Sequence, residues 1–68
     1  MDVKVECHGS IFLFRALTRR ARRWIEENVH GEPQWFGGAL VVEWRYAYTL
    51  QEGMENDGLE VSSDSHGG

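Results

Sequence analysis

Sixty-eight residues make one small domain, and the lone Cys7 excludes an internal disulfide. No stretch nears the roughly 20 apolar residues that span a bilayer. His8, His30 and His66 offer no pair at a metal-ligand spacing, so neither membrane nor metal is expected. The net charge of −4 argues against non-specific nucleic-acid binding by the chain as a whole. The balance is uneven, though: all seven Lys and Arg precede Tyr46, and every charged residue after it is acidic.

In chain order, VKVEC alternates Val3, Val5 and Cys7 with Lys4 and Glu6, the period of a half-buried strand. The run SIFLFRAL is continuously apolar and predicts a strand covered on both faces. Strands are therefore expected over 3–7 and 10–16, as a hairpin or as one strand bent at Gly9. Thr18 then suits a helix N-cap, and Ala21, Trp24, Ile25, Asn28 and Val29 share one side at 3.6 residues per turn. The spacing predicts a helix over 19–29, stopped by His30-Gly31 with Pro33 beyond.

GEPQWFGG reads as a connection rich in breakers, and ALVVE as a buried strand, 39–43. The next stretch, WRYAYTL, admits two readings. As a strand it would continue the alternation through Trp44, Tyr46 and Tyr48. As a helix it would align Tyr46, Ala47, Leu50, Met54 and Asp57 and end at Asn56-Asp57-Gly58, a sequence suited to a left-handed cap. A strand from 39 to 50 would be about twice the usual length, so a helix over 45–56 is the choice. Leu59-Glu60-Val61 reads as a final short strand, and 62–68 as a disordered tail. The expectation is an α+β domain over 1–61, ordered β(β)-α-β-α-β, with two helices on a three- or four-stranded sheet.

The strings GSIFLFRALT, ARRWIEENV, WFGGALVVEWRY and DGLEV resemble a group of uncharacterised short bacterial proteins. These share G-S-x-x-L-F-x-x-L-T, A-R-x-W-[IV]-x-x-x-V, W-F-G-x-x-L-x-V-E-x-R-Y and D-G-L-x-V, and the likeness covers about residues 9–61. The resemblance implies a helix after R-Y and carries over no activity and no catalytic or binding residue. This chain departs from the group at Arg19 and Arg20, where the pattern tends to Pro-Ala, and at Trp44 and Tyr48.

Four constellations are candidates for chemistry. Arg19, Arg20, Arg22 and Arg23 crowd the start of the first helix, where positive charge opposes the helix dipole at about 0.3–1 kcal/mol. They form a solvated face, or pair with the acidic C-terminal half, or bind phosphate, nucleic acid or an acidic partner. Trp44 and Tyr48, i and i+4 on the second helix, form either an interface or a cluster buried within the monomer. Cys7 and His8 point to opposite faces of a strand and cannot work as a couple, which leaves Cys7 as a buried structural residue. Glu43 and Arg45 read as an ion pair, and Glu43, Glu32 and His30 are available to line a pocket.

No nucleophile–base pair and no phosphate loop is legible, so no enzymatic activity and no cofactor is expected. With no disulfide and no signal-peptide layout at the N-terminus, a cytoplasmic location is expected. A chain this short is marginal without a staple. The expected function is therefore binding, through Trp44 and Tyr48, as a homodimer or as an accessory subunit of another protein. The alternative is nucleic-acid or anion binding by the arginine-rich helix.

Overall fold

A computed structural model describes residues 1–64. Among them the order is β1 (Val3–His8), β2 (Ile11–Ala16), α1 (Arg19–Asn28), β3 (Gln34–Phe36), β4 (Ala39–Glu43), α2 (Trp44–Asn56) and β5 (Val61–Asp64). The class is α+β, as the patterning predicts. The sheet, however, has five strands rather than three or four, in the order β3-β4-β2-β1-β5.

One added strand, β3, accounts for the difference, and the last strand, expected over 59–61, forms instead over Val61–Asp64. Gln34–Phe36, read as part of a connection, pairs antiparallel with β4, with Phe36 opposite Ala39. Gly37 and Gly38 between them have φ of 56° and 83°, the pair of positive angles that a type I′ hairpin turn demands. At the other edge, β5 runs parallel to β1, with Val61 opposite Val3 and Asp64 opposite Glu6. Residues 62–64, expected as tail, thus belong to the sheet; the rest of that tail, 65–68, lies outside the described residues. Their polarity concealed them, because the pairing comes from the open backbone edge of β1 and not from their side chains.

The β1–β2 segment is a hairpin with His8 opposite Ile11, and Gly9 supplies the positive φ at the first turn position. Strand register places Val5 against Phe14 and Phe14 against Leu40 on one face. Both helices pack on that face. Ala21 and Ile25 from α1 and Ala47 and Met54 from α2 join Val3, Val5, Phe14, Leu40 and Val42 in one core. Fully burying a side chain such as Phe14 stabilises by roughly 1.5–3 kcal/mol.

The opposite face carries Lys4, Glu6, Leu13, Arg15, Ala39 and Val41. Arg15 lies 3.8 Å from Glu6 and donates to the Gly37 carbonyl at 2.8 Å, past its strand partner Ala39. Cys7 is a correction: it is exposed. Alternation puts it on the core face, but it sits one residue from the hairpin turn pair, where helix cover runs out.

Both helices end as their sequences dictate. The Thr18 hydroxyl accepts from the Ala21 N–H at 3.1 Å and donates to Asp2 Oδ1 at 2.8 Å. The other Asp2 oxygen accepts from the Glu60 N–H at 2.9 Å, and the Asp2 carbonyl accepts from the Leu17 N–H at 2.7 Å. Asp2 thereby joins the ends of β2, α1 and β5. These hydrogen bonds, the Glu60 backbone bond first and the Thr18 hydroxyl second, hold its carboxyl below the usual aspartate range.

The α2 helix begins at Trp44, whose N–H donates to the Ser10 carbonyl at 3.1 Å. It closes with Gly58 N–H to Glu55 O at 3.1 Å and Leu59 N–H to Met54 O at 3.0 Å. This is a Schellman turn with Gly58 at φ 90°.

Gly53 is helical, and a methyl group there meets the Trp24 ring at 3.5 Å, an ordinary contact. Gly53→Ala is expected to stabilise the domain by about 1 kcal/mol, raising the melting temperature by roughly 4–8 °C; an unchanged or lower value would contradict the helix geometry.

Asp2 generates a pH dependence. Its folded form binds a proton less readily than its unfolded form, so the contribution is present above the unfolded value of about 3.9 and is lost as pH falls through the lower folded value. Asp2→Asn should flatten that acid limb of a urea-midpoint titration and leave the slope near neutral pH unchanged. An acid limb identical to the parent's would remove Asp2 as its source.

Candidate functional site

The α2 helix has a core side and an outward side. Ala47 and Met54 are buried and Leu50 is half-buried. Tyr46, expected in that core stripe, is 59% exposed. Trp44 and Tyr48 stand in solvent at 60% and 75% exposure, so burial within the monomer does not apply to them. Tyr48, Gln51, Glu52 and Glu55 line a shallow recess on the same outward side. That side is thus aromatic in its first turns and acidic after them.

The arginines are largely engaged within the chain. Arg20 donates to the Gly58 carbonyl at 2.7 Å. Arg22 lies 3.5 Å from Glu26 and stacks 4.5 Å over the Trp35 ring. Arg23 lies 3.7 Å from Glu27, and Arg19 is exposed. Of the three readings of this cluster, pairing with the C-terminal half describes Arg20, whose acceptor is a backbone carbonyl rather than a carboxylate. Exposed i, i+4 pairs such as the other two are worth about 0.3–0.5 kcal/mol.

Arg20 has a structural consequence together with Trp24. The Trp24 indole N–H donates to Asp57 Oδ2 at 2.6 Å, and its ring lies against Gly53. Both contacts tie the body of α1 to the C-terminal end of α2. A cleft of about 830 Å3 opens among the last turn of α1, the α1–β3 connection, β4 and the first turns of α2.

Leu40 and Val42 of β4 floor the cleft, with Val29, Trp24 and Leu50 as apolar walls. Its polar lining includes Asn28, His30, Glu32, Gln34, Glu43 and Thr49, and Tyr46 stands at the α2 side. Glu43, Glu32 and His30 thus all line the cleft, from two segments: the α1–β3 connection and the end of β4. Glu43 also faces Arg45 at 4.0 Å, with both side chains largely exposed.

Sequence reasoning named Glu43, Glu32 and His30 as available to line a pocket, but not the apolar floor and walls beside them. Those depend on how separate elements pack, which no local pattern reports. The misplaced Tyr46 was the available signal: an aromatic at the edge of a core stripe on a helix that begins next to a glycine hairpin. Among the described residues, no group of three or more His, Cys, Asp or Glu is placed to hold a metal, and no helix is long and apolar enough to cross a membrane.

Trp24→Phe keeps the ring and removes the donor to Asp57. We expect a loss of about 1 kcal/mol in urea unfolding, and none of this loss when Asp57 is already Ala. Additive losses in that double-mutant cycle would show that the tie carries no coupling energy.

No protein-family model matches this chain, and no curated protein or solved structure matches it.

Proposed function

We propose that the chain is a cytoplasmic, non-enzymatic binding protein, an accessory subunit that docks a basic protein segment on the outward side of α2. The observation that carries the reading is the joint exposure of Trp44 and Tyr48 on a stripe that continues into Glu52 and Glu55. Indole and phenol rings bring large contact area at low entropic cost and attract cations over their faces. Carboxylates one and two turns beyond them add attraction for Lys or Arg and speed encounter.

The same charges argue against a second copy at this surface. No Lys or Arg follows Arg45, so a second copy would bring to this acidic stripe only that one cation from α2. Nucleic-acid binding through Arg19, Arg20, Arg22 and Arg23 has less to work with, because three of the four guanidiniums already have partners in the chain. The sequence offers no nucleophile–base pair or cofactor loop from which to argue catalysis.

A benzophenone side chain placed at Tyr48 should give a protein adduct on illumination in the native cells, lost when Trp44→Ala is added. The same group at Glu27 on α1 is the control and should give none. No adduct at 48, or an equal yield at 27, would overturn the reading. Sedimentation at micromolar concentration should give a monomer. A dimer that Trp44→Ala disperses would replace the basic partner with a second copy.

A further inference from the structure

The cleft bordered by α1, β4 and the first turns of α2 is distinct from the outward side of α2, and its lining has a chemistry of its own. Its volume of about 830 Å3 falls within the roughly 300–1,000 Å3 of small-molecule sites. The floor and walls are apolar and partly aromatic, formed by Leu40, Val42, Leu50 and Trp24. The Trp24 indole N–H is taken up by Asp57, so toward the cleft this residue offers ring surface.

The lining holds two carboxylates and one imidazole, and among the described residues no Lys or Arg lines it. Glu32 and His30 enter from the α1–β3 connection and Glu43 from the end of β4. Arg45 lies outside the lining, beside Glu43. Its 4.0 Å contact with Glu43 joins two side chains that are each more than half exposed. Such a pair is worth roughly 0–1 kcal/mol and yields readily to a better-placed cation. Asn28 gives one of its two amide N–H groups to the Trp24 carbonyl at 2.9 Å, which leaves its side-chain oxygen and one N–H. Glu32 and Glu43, when ionised, only accept.

We propose that this cleft binds a small cationic amphiphile: a protonated amine carried on a short, preferably aromatic, apolar body. The body lies on Leu40, Val42 and Leu50 beside the Trp24 and Tyr46 rings, and the ammonium group faces Glu32 and Glu43. An anion of the same shape meets two carboxylates and no Lys or Arg. The proposal stands independently of the α2 docking surface.

The test uses three probes with a common phenylethyl body: phenethylamine, phenylethanol and phenylpropionate. Each is titrated into the isotope-labelled full chain while backbone amide shifts are followed. For ligands this small the amine should bind with a dissociation constant of roughly 1–10 mM. It should move Val29, Glu32, Leu40 and Leu50, the alcohol should bind more weakly at the same residues, and the carboxylate about ten-fold more weakly than the amine.

Glu32→Gln combined with Glu43→Gln should reduce amine binding to the level of the alcohol and leave the alcohol unchanged. Leu50→Trp, which fills the cleft, should abolish both, and the spectra themselves report whether each variant is folded. Trp44→Ala with Tyr48→Ala should leave amine binding intact, which separates this site from the docking surface. Equal binding of amine and carboxylate, no localised shifts at about 10 mM, or shifts confined to residues 48–55 would each overturn the proposal.

Discussion

Two helices cover one face of a five-stranded sheet and no more. That limit of material governs the rest of this structure. All of the continuous core lies between the helices and one side of the strands, with Phe14, Leu40, Ile25 and Met54 at its centre. The other side is managed by charge. Glu6 and Arg15 lie across neighbouring strands, and Leu13 is buried between them without a helix above it. Long side chains can shield apolar surface with their stems while their heads stay in water.

Cover is also limited along the helices. Trp24 and Arg20 draw α1 against the far end of α2, where Gly53 gives the indole room and the Gly58 turn presents its carbonyl. Beyond those ties lies the cleft, lined by the last turn of α1, the α1–β3 connection, β4 and the first turns of α2. Cys7 shows the same shortage at the hairpin end of the sheet, where the core face is uncovered. The cleft and the exposure of Cys7 thus share one feature: each lies where packing on the core face is incomplete.

Features fixed by local chemistry were legible in the sequence. Thr18 caps α1 as its position foretold, and Asn56-Asp57-Gly58 closes α2 with the expected left-handed glycine. The turn of Trp44-to-Leu50 into helix followed from strand length and from the downstream residues. What escaped depended on distant partners. β3 is three residues long, and only Gly37-Gly38 announced it. The last strand was expected, but over 59–61; its extension through two serines to Asp64 follows from β1 lying beside it. Tyr46 fits a helical stripe on paper, but the stripe faces a gap rather than a neighbour. Among the site residues, the exposure of Trp44 and Tyr48 was readable as one of two alternatives, whereas the engagement of Arg20 and Arg22 required knowing where Gly58 and Trp35 would lie.

The parallel seam between β1 and β5 has a consequence for how the molecule assembles. The Asp2–Glu60 contact beside it joins residues 58 apart in sequence, whereas β1 and β2 meet across a two-residue turn. Contacts so remote form late, after local hairpins, because closing a long loop costs entropy before anything is gained. Until then the segment V-K-V-E-C offers a bare row of amides and carbonyls to any neighbouring chain. β5 is therefore a shield as well as a strand, and its arrival sets the interval during which nascent copies can adhere to one another.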